Sequence, residues 1–87
     1  MQESTQEKME ASLSMLIMSI ASSAVMAMGL APQSPSGELH VDKNMARFNI
    51  DLLGVLKDKT KGNLTQDETQ FLDHLINDLQ MKYVALG

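Results

Sequence analysis

The sequence predicts an all-α fold of three helices, in which a long apolar N-terminal helix packs with an antiparallel C-terminal helical hairpin. One observation is the uncharged run between Glu10 and Glu38, and another is the recurrence of apolar residues every three or four positions further along the chain. Helix-capping residues and helix breakers separate these segments. We expect a polar N-terminal tail over residues 1–10 and a single helical domain over residues 11–87.

The first predicted helix covers residues 11–30, because nothing in this stretch breaks a helix and Ala, Leu, Met and Ile favour one. Pro32, Pro35 and Gly37 then predict a loop over residues 31–41. On a helical wheel, the apolar side of this first helix contains Leu13, Ile17, Ile20, Ala21, Ala24 and Met28.

The opposite side of the first helix carries small and mildly polar residues and no charge. A helix without a solvated face is buried, either in protein or in lipid. One helical hairpin covers only part of its circumference, so we expect a second copy of the chain to cover the rest, with two-fold symmetry as the default. The predicted interface of this homo-oligomer, with a dimer favoured, contains Met15, Ser19, Ser22, Ser23, Met26 and Ala27.

A transmembrane helix is the alternative interpretation of the uncharged run, since about 20 apolar residues cross a bilayer. The serines oppose insertion, the nearest cations (Lys8 and Lys43) are distant, and no Trp or Tyr lies near either end of the run. We therefore predict that the first helix is buried in protein, and the alternative is a small protein anchored in the inner membrane by its first helix.

The second predicted helix covers residues 42–61, with Asp42 as its N-cap and Gly62 just beyond its end. Gly54 interrupts the helix and predicts a close crossing with another helix. The stripe expected to face the core contains Met45, Phe48, Leu52 and Val55, widened by Ala46, Ile50 and Leu53.

The third predicted helix covers residues 66–86 and begins with the spacing of a capping box at Thr65 and Glu68. The short connection KGNLT before it predicts an antiparallel hairpin with the second helix. Its expected core residues are Phe71, Leu72, Leu75, Leu79, Tyr83 and Leu86.

No combination of residues predicts an enzyme, a cofactor or a metal site. His74 and Asp78 lie one turn apart on the third helix, but two candidate ligands on one helix do not make a site. His40 stands in the loop between Glu38 and Asp42, where a solvated charge cluster is the simpler interpretation. The predicted function is therefore a non-enzymatic, self-associating interaction or assembly module.

The composition argues against nucleic-acid binding, since seven basic residues face eleven acidic ones. Lys57, Lys59 and Lys61 form a local basic cluster, which we attribute to complementation of the helix dipole. The absence of cysteine excludes disulfides and thiolate metal sites. Met15, Met18, Met26 and Met28 could also form an adaptable surface for another protein partner.

Three segments of the chain resemble a small bacterial family of uncharacterised helical proteins, domain of unknown function 1844. They are SIASSA (residues 19–24), IDLLGVLKDKTKGNLTQDE (residues 50–68) and LINDLQMKYV (residues 75–84), and the resemblance covers most of the chain. The family has aromatic residues near the start of the first helix, where this chain has Leu13 and Leu16. The resemblance implies a short, helical, cytoplasmic protein and supplies no catalytic residues.

Overall fold

A computed structural model describes residues 11–32 and 37–87, and three helices build the fold in these ranges. The all-α prediction is confirmed. The predicted polar tail, residues 1–10, lies outside the described residues. In chain order, the helices are α1 (Leu13–Ala27), α2 (Lys43–Lys59) and α3 (Gln66–Ala85).

Helix α1 is shorter than the sequence predicted at both ends. It begins after Ser12, whose hydroxyl accepts a hydrogen bond from the Met15 N–H at 3.2 Å. It ends at Ala27 because Gly29, two residues later, takes a φ of +75°, a left-handed conformation that terminates a helix. The first proline, Pro32, therefore follows the end of α1 and does not cause it.

Helices α1 and α2 form a tightly closed hairpin. The Asp42 N–H donates to the Ala27 carbonyl at 2.7 Å, and Met28 and Val41 form an isolated antiparallel β-bridge beside it. Asp42 also caps α2, since its carboxylate accepts from the Met45 N–H at 3.0 Å. The buried core that results contains Ile17, Ala21, Ala24, Ala27, Met28, Ala46, Ile50, Leu53, Leu72 and Leu79.

The predicted core side of α2 is confirmed only in part. Ala46, Ile50 and Leu53, which widened the predicted stripe, are buried, whereas Phe48 is 54% exposed and Val55 is 53% exposed. The helix instead buries its neighbouring side against α1. Small side chains explain this choice, because the alanines of α1 and Ala46 of α2 let the two helices approach closely. Asn49 is also buried, and its side-chain amide donates to the Met45 carbonyl at 2.9 Å. The buried residues of α2 are Ala46, Asn49, Ile50 and Leu53.

Helices α2 and α3 form the predicted antiparallel hairpin. Lys57, near the end of α2, lies 2.6 Å from a carboxylate oxygen of Asp73 in the first half of α3. Lys43, at the start of α2, donates to the main-chain carbonyl of Gly87, just beyond the end of α3. These two contacts at opposite ends of α2 fix the direction of α3.

The capping box at the start of α3 is confirmed. The Glu68 N–H donates to the Thr65 hydroxyl at 3.0 Å, and the Thr65 N–H donates to the Glu68 carboxylate at 2.9 Å. On the inner side of α3, Leu72 and Leu79 are fully buried. Phe71, which the sequence placed in the core, is 39% exposed.

Candidate self-association surface

One side of α1 lies at the surface of the protein and carries no charge. We call it the α1 outer face. Its large side chains are about half exposed: Met15 and Met18 at 46% and Leu16 at 48%. An uncharged helix face of this kind is unusual at a surface in contact with water. The α1 outer face contains Met15, Leu16, Met18, Ser19, Ser22, Ser23 and Met26.

A cleft bounds the α1 outer face on the side of α2. It lies between the C-terminal half of α1, represented by Ser23 and Met26, and the first turn of α2, including Lys43 and Met45. Ser23 and Leu16 are seven residues apart, so they lie on the same side of the helix. This side of the α1 outer face therefore adjoins α2.

A second cleft bounds the α1 outer face on the side of α3. Met18 and Ser22 line it together with Leu75 and Lys82 of α3. Met15 and Ser19, which lie one turn apart, are thus left along the middle of the α1 outer face, between its two neighbours.

Five of the six residues predicted for an oligomer interface belong to this surface. Met15, Ser19 and Ser22 are exposed, and Ser23 and Met26 are half-buried. The sixth residue, Ala27, is 3% exposed and belongs to the core of the single chain. Its burial follows from the closure of the α1–α2 hairpin, where its carbonyl accepts the hydrogen bond from the N–H of Asp42, the N-cap of α2.

A second apolar surface, which the sequence analysis assigned to the core, continues from the cleft along α2. We call it the α2 stripe, and it consists of Met45, Phe48, Leu52 and Val55, spaced three or four residues apart on one side of the helix. One feature of the sequence indicated that part of this apolar surface would stay exposed. The apolar residues of α2 cover an arc of about 220° on a helical wheel, wider than one neighbouring helix covers.

The α2 stripe ends at a charged border. Arg47 and Asp51 lie one turn apart with their charged atoms 3.9 Å from each other, and both side chains are well exposed. An apolar centre with a polar, solvated rim is the usual anatomy of a protein–protein interface.

Two of the ionisable residues considered for catalysis or metal binding have exposed charged partners. Asp78 pairs with Lys82 at 2.7 Å, one turn away on α3. The His40 ring lies 3.2 Å from the Glu38 carboxylate in the loop before α2. Within residues 11–32 and 37–87, no group of three or more His, Cys, Asp or Glu side chains is arranged to hold a metal ion.

Among the described residues, no helix is both long enough and apolar enough to cross a membrane. Helix α1 has 15 residues, whereas a span needs about 20.

Over residues 11–32 and 37–87 the fold and its surface define a class: small all-α proteins in which three helices pack together and α1 presents an uncharged outer face. Within this class, the chain belongs to the family described as Domain of unknown function (DUF1844), whose model matches residues 10–85. Searches of the curated proteins and of the solved structures find no match.

Proposed function

We propose that this protein is a non-enzymatic interaction module that self-associates, as a two-fold dimer in the simplest case, through the α1 outer face. One observation carries the proposal: a helix of 15 residues without any charge leaves Met15, Leu16 and Met18 about half exposed. Contiguous exposed apolar surface of this kind marks a protein interaction site.

The small residues between these large side chains favour a helix as the occupant. Ser19 and Ser23 lie one turn apart, and their short side chains leave a shallow groove in which another helix can pack closely. A two-fold interface brings the same patch of both copies together, and an uncharged patch meets its own copy without electrostatic repulsion. The α1 outer face is therefore suited to its own copy.

The rest of the molecule supports a role without chemistry of its own. His74 is an exposed residue of α3, and its neighbour Asp78 is engaged with a lysine. We also propose a cytoplasmic location, which the family resemblance implies and with which a chain without cysteine is compatible.

Sedimentation velocity of the purified chain at micromolar concentrations tests the proposal, with two matched variants. We expect a dimer for the natural chain and for Met81→Glu, which places the charge on the exposed side of α3. We expect Met15→Glu to raise the dissociation constant of the dimer by about tenfold or more, since it buries an unpaired carboxylate.

A natural chain that sediments as a folded monomer at every concentration would contradict the proposal. So would Met15→Glu and Met81→Glu variants that dimerise equally well. Far-UV circular dichroism of both variants establishes that neither substitution unfolds the chain.

A further inference from the structure

We infer that the second copy also covers the α2 stripe, so that the interface spans two helices and Phe48 is its apolar anchor. This inference rests on the proposed self-association and extends it to α2, a helix for which the sequence predicted no interface. Three observations lead to it: the area available on α1, the continuity of the two surfaces, and their charge.

The large exposed side chains of the α1 outer face alone supply too little apolar area for a stable dimer. A large side chain has on the order of 200 Å² of surface, so Met15, Leu16 and Met18 together leave about 300 Å² exposed. A standard interface buries about 800 Å² on each partner. In homodimers about 65% of that area is apolar, which amounts to about 500 Å².

The α2 stripe supplies the missing area. Met45, Phe48 and Val55 are 48%, 54% and 53% exposed, and they add a second apolar area of about 300 Å². The sum of about 600 Å² reaches the apolar area that a homodimer requires. Phe48 is the aromatic residue of this surface, and buried aromatic side chains are frequent energetic anchors of interfaces.

The two surfaces are also continuous. Met45, the first residue of the α2 stripe, lines the same cleft as Ser23 and Met26 of the α1 outer face. Packed helices lie about 8–10 Å apart, so a partner helix seated on the α2 side of α1 reaches the α2 stripe as well. Covering one surface therefore covers part of the other.

Charge favours a second copy as the occupant over a different, charged partner. Neither the α1 outer face nor the α2 stripe contains an ionisable residue. The charged border of the α2 stripe pairs a cation, Arg47, with an anion, Asp51, so it presents no net charge to a neighbour. In the cleft between the two surfaces, Asp42 and Lys43 carry opposite charges. The combined surface therefore does not repel its own copy and has no excess of one charge for an oppositely charged partner to recognise.

A matched pair of valine variants of the full chain tests the inference by sedimentation velocity. Val55→Glu places a carboxylate in the α2 stripe, and Val84→Glu places one on α3, where the valine is 76% exposed. We expect Val55→Glu to raise the dissociation constant by about tenfold or more and Val84→Glu to change it by less than about twofold.

Hydroxyl-radical footprinting of the unaltered chain provides a second measurement, which does not depend on any variant folding. As the concentration is raised through the dissociation constant, we expect the labelling of Phe48 to fall and that of Met81, which is 73% exposed on α3, to stay constant. If Val55→Glu unfolds, the labelling of Phe48 alone decides whether the second copy covers the α2 stripe.

The two proposals fail in distinguishable ways. A natural chain that stays monomeric overturns both. A dimer that persists in Val55→Glu, with Phe48 labelled equally at all concentrations, overturns the α2 inference and leaves self-association through α1 in place.

Discussion

The outer sides of α1 and α3 both expose large apolar residues, but they differ in what surrounds those residues. On α3, Met81 and Val84 are more exposed than any large apolar residue of α1, yet polar side chains such as Asn77 and Gln80 lie beside them. On α1 the neighbours are serines and further methionines. Single exposed apolar residues are ordinary, whereas a contiguous uncharged patch indicates an interface. The arrangement, and not the amount of exposure, separates the two helices.

The inner sides of the same two helices are equivalent, and truncating them gives the largest effect we predict. Ile17 of α1 and Leu72 of α3 are both 0% exposed in the shared core. We expect Ile17→Ala and Leu72→Ala each to lower the free energy of unfolding by about 2–5 kcal/mol, because each leaves a cavity. Urea unfolding followed by circular dichroism measures both losses.

The same chain concentration must be used for the two variants, since the proposed dimerisation would make apparent stability depend on concentration. A loss below about 1 kcal/mol for Ile17→Ala, beside a full loss for Leu72→Ala, would mean that α1 is not part of one common core.

The inner side of α1 was predictable because its apolar residues recur with helical spacing, opposite a side that carries the serines. Ile17, Ala21 and Ala24 are buried as the periodicity indicated. Helix α2 was not predictable in this way, because it has apolar residues on two adjoining sides. Local spacing does not distinguish the side with Phe48 from the side with Ala46, and close packing against the alanines of α1 decides between them.

The candidate site shows the same limit. Five residues of the α1 outer face were predicted from the absence of charge, which is a property of the sequence. The α2 stripe was assigned to the core because its spacing is that of a core-facing helix side. Its exposure depends on which side of α2 packs against α1, and local spacing does not show this. Ala27 was assigned to the interface for the complementary reason, since hairpin closure, which is tertiary, buries it.

A smaller loss of unfolding free energy is expected from a substitution at the connection between α1 and α2. Gly29 has a φ of +75°, and a Cβ added there would lie 2.8 Å from Cγ2 of Val41. We expect Gly29→Ala to lower the free energy of unfolding by about 2–3 kcal/mol, from the left-handed conformation and the clash together. Thermal unfolding at fixed chain concentration measures the change.

Gly62, which follows α2, is the matched control for Gly29. It has a φ of +85°, but a Cβ there would meet nothing within 4 Å. Gly62→Ala should therefore cost only the conformational part, about 1 kcal/mol. Equal losses in the two variants would show that the Val41 side chain moves away from the added methyl group at no measurable cost, contrary to the predicted clash.

The smallest effect we predict is a gain in the free energy of unfolding. It tests the stability of α2 separately from the contribution of α2 to the proposed interface. Gly54 does not mark the close helix crossing that the sequence predicted, since a Cβ there would meet nothing within 4 Å. It lies seven residues from Arg47 and thus on the same side of α2, away from the α2 stripe.

We expect Gly54→Ala to raise the free energy of unfolding by about 0.5–1 kcal/mol, because alanine loses less backbone entropy in a helix. The dissociation constant of the dimer should not change, because the added methyl lies outside both apolar surfaces. A lower unfolding midpoint for Gly54→Ala would instead indicate that another helix does pack closely against Gly54. Weaker dimerisation at unchanged stability would indicate that the second copy contacts this side of α2.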